Sequence, residues 1–441
     1  SEYFNRTFGS GGDTTDWGYS IWYKYGKETT DDYFLSAGVH ASTTFTRFMF
    51  DTGGGSKASI DFTTFNSGGS VTGKIVTTQE LEDSSVWNHL LIAWDSDNST
   101  AGDRMRMYIN GNRVTVGTFT NPSSGEASRI NVASAAHMIG CYNAGASGFA
   151  DGYMADVAFI NGFNAAGYGP ANFGQTDTST NKWVPKDISG LTYGDTSFRL
   201  DFSNGSDLGE DQENSNDWTN NNTVTQTTDS PTTNFAVINP IPTVSQTLSV
   251  GNTRATGAAS SAWRSRRATI SAPSGKFYAE WECQSNFTGA GGGTAIASVV
   301  DDNSSIYPGV DTNSVGVYSS TGGDVYVGLA GATDVDTGLN TAADDRILAC
   351  FDVESGKAWA GFYDANTTTT YWYKNTGATG ADPAAGTFPT YAFPPNTPLT
   401  FMTTTYNTQV IDFFAESSNF TLTPPTGFSA LSQDNMTSSD Q

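Results

Sequence analysis

The sequence contains few charged residues, few cysteines and no long apolar run. Only 15% of its 441 residues are charged, and 21 basic residues face 45 acidic ones, giving a formal net charge of −24. This excess of negative charge repels phosphate, so we expect neither nucleic acid nor an anionic membrane surface as a partner. No apolar run is longer than that of residues 90–94, whereas a membrane-spanning helix needs ~20 apolar residues. The sequence therefore predicts no membrane insertion.

Cysteine is too scarce to build a scaffold. Cys141, Cys283 and Cys350 lie far apart, and no two of them have the short spacing typical of metal ligands. Because their number is odd, at least one thiol has no intramolecular partner. We therefore interpret all three as small buried apolar residues.

Short segments of alternating apolar and polar residues dominate the chain instead. Aromatic residues make up 13% of it and glycine contributes 48 residues, whereas a 3.6-residue apolar period is almost absent. Period two, as in residues 17–25, 104–109 and 277–282, predicts half-buried antiparallel strands. Asn110-Gly111 lies between two such segments and predicts a tight type I′ hairpin. The pattern predicts an all-β protein of the sandwich or barrel type.

A change of composition divides the chain into two halves. Residues 204–222 are rich in Asn, Asp, Glu and Ser, so we expect them outside the core, and the prolines of residues 239–242 would interrupt a ladder of strand hydrogen bonds. We predict one domain over residues 1–235, with a polar C-terminal extension, and a second over residues 236–441. Each has about 200 residues, enough for a two-layer core of its own.

Three segments of the first half carry a family resemblance. They are residues 85–95 (SVWNHLLIAWD), residues 104–114 (RMRMYINGNRV), and residues 137–141 (HMIGC) followed by 149–160 (FADGYMADVAFI). In order and spacing they resemble the laminin-G-like, concanavalin A-like lectin/glucanase family. The resemblance implies a jelly-roll β-sandwich. The continuation to residue 218 is similar to versions of this domain in structural proteins of marine bacteriophages.

The second half resembles a different sandwich family. Residues 274–282 (SGKFYAEWE), 344–362 (DDRILACFDVESGKAWAGF), 387–391 (TFPTY) and 424–431 (PPTGFSAL) are similar to the strands of SPRY domains. Residues 363–380 depart from that pattern, which puts a family-like binding surface there in doubt. The tandem arrangement resembles tail-fibre and virion-surface proteins of marine phages. The expected fold class is all-β, with two tandem antiparallel β-sandwiches of the concanavalin A-like jelly-roll type.

The carboxylates do not show the spacing of a glycoside hydrolase. Retaining glucanases of this fold carry a Glu-x-Asp-x-x-Glu run that places two carboxylates on one face of a strand, and no such run occurs here. Glu80 has neighbours at the wrong spacing, Glu210 and Glu213 lie in a polar loop, and Asp412 and Glu416 lack a third partner. The sequence therefore predicts that the protein is not an enzyme.

Calcium is the one cofactor that the sequence suggests. Asp95, Asp97 and Asp103 belong to an oxygen-rich loop between two predicted strands, and oxygen atoms are the ligands that calcium prefers. The loop lacks the spacing of an EF-hand, so a solvated turn without metal is the alternative interpretation.

Aromatic residues near irregular segments are candidates for stacking on a sugar ring. In the first half these are Tyr142, Phe149 and Tyr153, which flank the glycine-rich residues 143–148. In the second half, Tyr371 and Trp372 lie in the segment that departs from the SPRY pattern. Strand alternation implies that at least half of the five are core residues.

These observations predict a recognition protein on the surface of a virion, and hence an extracellular location. We expect a tail fibre or other appendage that contacts a host cell-surface glycan or receptor, touches other virion proteins and assembles as a homo-oligomer. The alternative is a capsid decoration or head-surface protein whose ligand is the capsid lattice. A carbohydrate-active enzyme is the third hypothesis, for which the paired carboxylates are missing.

Overall fold

The regular secondary structure of the described residues is almost entirely β-strand. The computed structural model describes residues 2–26, 31–39, 44–52, 58–81, 83–142, 147–241, 245–284, 291–298, 307–320, 322–332 and 334–436. Within these ranges the helical elements are short 3₁₀ turns: Ala101–Asp103, Pro170–Asn172, Ser417–Asn419 and Gln433–Asn435. No helix within the described residues has the length and apolarity to cross a membrane.

Two compact units make up the chain, Ser1–Thr227 and Thr228–Gln441. The division falls slightly before the predicted boundary at residue 235. The reason is that the segment after residue 227 contacts the second unit: Thr228 donates to the Glu416 carboxylate (2.7 Å from its backbone N) and Phe235 forms a β-bridge with Ser432.

Sixteen of the described strands belong to the first unit. They are β1 (Tyr3–Thr7), β2 (Asp16–Tyr25), β3 (Asp32–Ala37), β4 (Phe45–Asp51), β5 (Ala58–Phe65), β6 (Val71–Leu81), β7 (Trp87–Asp95), β8 (Met105–Ile109), β9 (Asn112–Arg113), β10 (Val116–Thr120), β11 (Ala136–Ile139), β12 (Gly152–Asn161), β13 (Gly174–Thr176), β14 (Trp183–Pro185), β15 (Phe198–Leu200) and β16 (Thr219–Asn221). An eight-stranded sheet has the order β10-β6-β5-β4-β3-β11-β1-β16, and a six-stranded sheet the order β15-β12-β2-β7-β8-β9.

The two sheets of the first unit face each other across an aromatic core. Trp17 of β2 contacts Phe62 of β5, with ring centroids 5.8 Å apart, and stacks at 6.3 Å on Trp94 of β7. Strand β7 is also buried on its other side, because residues 163–193 cover that face around Leu91. In the sequence, His89 alternates with Trp87 and Leu91, which predicts that it faces the core and bonds a backbone group. His89 is buried, on this covered outer face, but its hydrogen-bond partners differ from that expectation.

His89 instead bonds two side chains on the outer face of the six-stranded sheet. Its Nε2 lies 2.8 Å from the Ser20 hydroxyl, and the Trp183 indole N–H donates to its Nδ1 at 3.3 Å. Burial lowers the pKa of His89 to about 3, so the ring is neutral and structural.

The predicted hairpin at Asn110-Gly111 is confirmed. Both residues have positive φ, 48° and 79°, as a type I′ turn requires. Pairing with β8 ends at Arg113 because the chain then crosses to the other sheet, where β10 pairs with β6.

The polar segment before the unit boundary belongs to the first unit rather than lying outside its core. Leu208 and Trp218 are buried in that core, and the buried Asp211 carboxylate accepts hydrogen bonds from the backbone N–H groups of Arg199 and Asn216. Strand β16 then pairs with β1. Composition alone does not predict that this polar segment packs into the unit. Its buried Asn and Asp side chains accept from and donate to backbone groups, which in a regular sheet would pair with another strand.

The second unit is a sandwich of fifteen described strands. They are β17 (Gln246–Ser249), β18 (Arg254–Gly257), β19 (Trp263–Arg267), β20 (Lys276–Cys283), β21 (Gly291–Ser298), β22 (Ser314–Ser319), β23 (Asp324–Gly328), β24 (Val335–Asn340), β25 (Arg346–Asp352), β26 (Lys357–Asp364), β27 (Thr369–Trp372), β28 (Tyr391–Ala392), β29 (Leu399–Tyr406), β30 (Val410–Phe414) and β31 (Ser429–Ala430). A nine-stranded sheet has the order β17-β18-β30-β20-β25-β26-β27, with β28 beside β26 and β31 beside β20, and a six-stranded sheet the order β19-β29-β21-β22-β23-β24.

The nine-stranded sheet buries apolar residues on both faces. Its inner face packs Trp281 and Phe351 against Phe401 of the other sheet. Its outer face carries a smaller cluster that includes Tyr278 and Trp359. Described strand pairs are antiparallel except for β20 with β31, so the predicted fold class of two antiparallel β-sandwiches is confirmed. Cys141 and Cys350 are buried free thiols, as predicted.

Candidate ligand-binding site

A cavity of about 470 Å³ lies on the outer face of the nine-stranded sheet. Its lining residues are Tyr278, Thr370, Trp372, Ala381, Asp382, Pro383, Ala384, Leu422, Thr423 and Pro425. The buried and half-buried members are all apolar or aromatic, whereas the exposed members include Thr370, Asp382 and Thr423. The cavity therefore combines an apolar interior with a polar rim.

Strand alternation places Trp372 in this cavity and keeps Tyr371 out of it. Successive side chains of a strand point to opposite faces. Tyr371 packs against the core between the two sheets, whereas Trp372 packs against the outer cluster and lines the cavity. Of the two aromatic residues that the sequence indicates here, the structure brings Trp372 alone to the cavity.

One wall of the cavity is held by a buried carboxylate. Glu280, which is 0% exposed, accepts hydrogen bonds from the backbone N–H groups of Thr421 (2.8 Å) and Leu422 (2.9 Å) and from the Tyr278 hydroxyl (2.9 Å). Arg346 adds a hydrogen bond from its Nε to the Thr421 hydroxyl at 2.9 Å. Burial raises the pKa of Glu280, and the two N–H donors oppose that rise. This anchor fixes the segment that carries Leu422, Thr423 and Pro425.

The opposite wall is a short hairpin fastened to strand β26. The Lys357 ammonium donates to the Gly386 carbonyl at 2.7 Å, and the Trp359 indole donates to the Thr387 carbonyl at 3.1 Å. Asp382 and Thr387 exchange backbone hydrogen bonds. Phe388 follows with φ 51° and is 61% exposed, a conformation that bulky residues rarely adopt. Hydrogen bonds therefore fasten both walls to the nine-stranded sheet.

The three aromatic residues indicated in the first unit lie in separate places. Tyr142 stacks on Tyr33, with ring centroids 4.6 Å apart. Phe149 lies 6.1 Å from Tyr3, and Tyr153 lies 6.3 Å from Trp87. All three are half-buried. Residues 143–146, which belong to the predicted glycine-rich loop, fall outside the described residues.

Arginine side chains bind the loop that the sequence suggests for calcium. Asp95 lies 3.6 Å from the Arg106 guanidinium, and Asp103 lies 2.7 Å from that of Arg113, while Asp97 is exposed. Within the described ranges there is no group of three His, Cys, Asp or Glu side chains placed to hold a metal ion. The structure therefore does not bring the three predicted ligands together, and calcium binding stays a prediction.

Asp412 and Glu416, two of the carboxylates considered for catalysis, bind structural partners, and so do the neighbouring Glu280 and Glu282. Asp412 makes a two-point ion pair with Arg254, 2.6 Å at each contact, and Glu416 accepts from Thr228. Glu280 and Glu282 share the Arg346 guanidinium, at 3.7 Å and 2.5 Å, but Glu280 is covered by residues 421–422. These positions give the carboxylates a role in holding loops and strands together.

Sequence reasoning missed most of the cavity. Thr370, Asp382 and Thr423 come from segments that meet only in the folded unit, and no local pattern links them. A signal did exist for Glu280: residues 274–282 alternate so that Tyr278 and Glu280 share the face opposite Phe277, which placed a carboxylate beside an aromatic ring on the outer face.

Comparisons with known proteins point to the fold of the first unit. Residues 5–163 match a laminin G family model described as the concanavalin A-like lectin/glucanases superfamily. This agrees with the family resemblance of the three motifs over the same region. A comparison with curated proteins finds no match.

Similar solved structures include domains from mouse, human and a bacterium. Domains LG4-5 of the mouse laminin α1 chain align at 7% identity over 93% of this chain and 84% of that chain, with a TM-score of 0.29. The SPRY domain of human HERC1 aligns at 11% identity over 38% and 91%, with a TM-score of 0.25. The CBM40 domain of the Ruminococcus gnavus IT-sialidase, bound to α2,6 sialyllactose, aligns at 13% identity over 34% and 84%, also at 0.25. Over residues 5–163, the chain is thus similar to the concanavalin A-like lectin/glucanases superfamily.

Proposed function

We propose that the protein is a non-enzymatic recognition protein of a virion surface and that its second unit binds a glycan in the cavity at Trp372. The observation that carries the glycan proposal is the lining of this cavity. An indole, two prolines and a leucine form its apolar part, and two hydroxyls and one carboxylate lie at its exposed rim.

This lining matches the chemistry of a sugar ring. A pyranose has an apolar face of C–H groups, which stacks on an aromatic surface, and hydroxyls at its edge, which need donors and acceptors. Trp372 supplies the surface. Thr370, Thr423 and the Asp382 carboxylate supply the partners at the rim. The anchors at Glu280 and Lys357 hold the walls in place, which lowers the entropic cost of binding.

The virion part of the proposal rests on the composition and on the motif resemblances. An acidic, glycine-rich β-protein with two sandwich units suits a tail fibre or appendage that meets a host cell-surface glycan or receptor in the extracellular medium. Assembly as a homo-oligomer would present several copies of the cavity, so that weak single-site affinities multiply. Other virion proteins would bind elsewhere on the chain.

Glycan binding by the full chain tests the proposal. We expect the wild-type protein to bind neutral saccharides on a glycan array, and Trp372→Ala to weaken that binding at least tenfold. Trp263→Ala is the matched control, because Trp263 is another half-buried tryptophan of the same unit but lies on the six-stranded sheet. Thermal melting of each variant establishes that the fold is kept.

Two results would overturn the proposal. Equal binding by the Trp372 and Trp263 variants would remove the cavity from recognition. Absence of glycan binding together with tight binding to virus particles would favour a capsid decoration protein instead.

A further inference from the structure

A buried carboxylate on the first unit holds two cations on the outer face of the eight-stranded sheet. Arg47 (β4), Asp61 (β5) and Lys74 (β6) alternate along their strands with core residues such as Phe48, and so point away from the core. Asp61 is 0% exposed. Arg47 Nη2 and Lys74 Nζ lie 3.5 Å and 3.1 Å from the same Asp61 oxygen, Oδ2.

The register fixes the spacing of this group. Arg47 pairs with Thr63, and Thr63 pairs with Lys74, so the two cations stand in one row with a single strand between them. The Thr63 hydroxyl donates to the other Asp61 oxygen at 2.5 Å. Each cation therefore reaches Asp61 from its own side, and the shared ion pair holds both side chains over the sheet.

The charges in this group do not balance. Two cations face one carboxylate, and within the described residues their ion pairs are with Asp61 alone. Both cationic side chains are still partly open, 22% for Arg47 and 27% for Lys74. Arg47 also has a buried Nε that makes no hydrogen bond within the described part of the chain. Among the described residues, the group thus holds one more cation than carboxylate, in a chain of net charge −24.

An aromatic wall stands beside the cations. The Tyr33 hydroxyl lies 3.5 Å from Arg47 Nη1, and the Tyr33 ring stacks on Tyr142 at 4.6 Å. Phe45 lies 5.9 Å from both Tyr142 and Phe65, and the Arg47 guanidinium lies 5.6 Å from the Phe65 ring. Tyr142 is half-buried, so part of this wall faces solvent.

We propose that Arg47 and Lys74 form a binding site for the acidic group of a saccharide, with the sugar ring against Tyr142. A guanidinium and an ammonium held by a shared carboxylate are preorganised donors for a carboxylate or sulfate group. An aromatic surface next to them suits the apolar face of the ring that bears this group. The site lies in the first unit and does not depend on the cavity at Trp372.

The test compares saccharides that have the same sugar ring but differ in charge. Binding of oligogalacturonate to the full chain is measured by calorimetry against its methyl ester, and binding of sulfated dextran oligosaccharides against unmodified ones. We expect at least one acidic form to bind wild type at least tenfold more tightly than its neutral counterpart. Lys74→Met and Arg47→Gln should each reduce that preference about tenfold, because each removes one charge-assisted contact.

Matched variants distinguish this site from its alternatives. Each single variant leaves Asp61 paired with the other cation, so we expect the fold to be kept. Thermal melting of each variant checks this. Arg113→Gln removes an equal charge from the same unit and should leave the preference within twofold. Trp372→Ala should also leave it unchanged, so the failure of one site does not imply failure of the other.

Two outcomes would overturn the proposal. One is wild-type protein with no preference for either acidic form over its neutral counterpart. The other is a preference that survives in Lys74→Met and Arg47→Gln as fully as in Arg113→Gln.

Discussion

Each unit buries a carboxylate on the outer face of a sheet, and the two carboxylates are satisfied in different ways. Glu280 in the second unit accepts from two backbone N–H groups and a tyrosine hydroxyl. Asp61 in the first unit is held by two cations and a threonine hydroxyl. The first arrangement fastens a loop that forms one wall of a cavity with an apolar interior. The second places two cations on one carboxylate, so the same type of buried group supports two different binding proposals.

The largest effect is expected from removing the anchor of the second unit. Glu280→Ala leaves two N–H groups and the Tyr278 hydroxyl unpaired under residues 421–422, so we expect a loss of about 3 kcal/mol in the free energy of unfolding of that unit. Chemical denaturation measures it. Glu282→Ala, which removes a carboxylate that shares Arg346 but lacks those N–H partners, should cost clearly less. Equal losses would contradict the anchor.

A somewhat smaller effect is expected at Asp61. Asp61→Ala leaves Arg47 and Lys74 facing each other, but both are partly open to water, which softens their repulsion. We expect a loss of about 2 kcal/mol in the first unit, with partial recovery in the double variant Asp61→Ala, Lys74→Met. Chemical denaturation of the wild-type protein, the two single variants and the double variant gives the coupling free energy between Asp61 and Lys74. Additive losses would mean that Asp61 does not hold the cations.

His137 extends the comparison to a buried group that must stay neutral. Its Nε2 accepts from the Asn131 backbone N–H at 3.0 Å and its Nδ1 lies 2.9 Å from the Ala135 carbonyl. Burial lowers the pKa of His137 from 6.5 to about 4. Below pH 6.5 the unfolded chain therefore binds the proton more strongly, and stability is lost as the pH falls.

Between pH 6.5 and pH 5, the free energy of unfolding of the wild-type protein should fall by about 1.5 kcal/mol more than that of His137→Gln. Thermal or chemical unfolding across this range checks the sign. A difference between the two proteins that is constant with pH would contradict it.

The smallest effect is expected for an exposed carboxylate. Asp103 and Arg113 are both widely open to solvent, so Arg113→Gln should change the free energy of unfolding by less than about 0.5 kcal/mol. Asp95 and Asp103 are each paired with an arginine, so the calcium hypothesis is tested by the melting temperature with added calcium, and an unchanged melting temperature would contradict it. A calcium-dependent rise that disappears in Asp95→Asn would instead support the calcium hypothesis.

The sequence was sufficient for the fold class and insufficient for the sites. Alternation and Asn110-Gly111 are local signals, and they predicted the strands and the hairpin. Of the two aromatic residues that the sequence indicated in the second unit, Trp372 lines the cavity and Tyr371 packs against the core, while their role as ligand contacts stays a prediction. The pairing of Arg47 with Lys74 depends on the register of three strands, and the contact of Glu280 with Thr421 joins residues distant in the chain. Neither register nor distant contacts can be read from periodicity.

The closure of each unit has a consequence for how the chain is made. Strand β1 lies between β11 and β16, and Phe235 forms a bridge with Ser432, so the first and last segments of each unit are neighbours. During synthesis on a ribosome, the first unit cannot complete its eight-stranded sheet until β16 has emerged, and the second must wait for β31. Each unit would then complete its fold only after nearly all of its residues have emerged. Because the first and last segments of a unit lie next to each other, such a unit can be inserted into another chain or exchanged with little change to its neighbours.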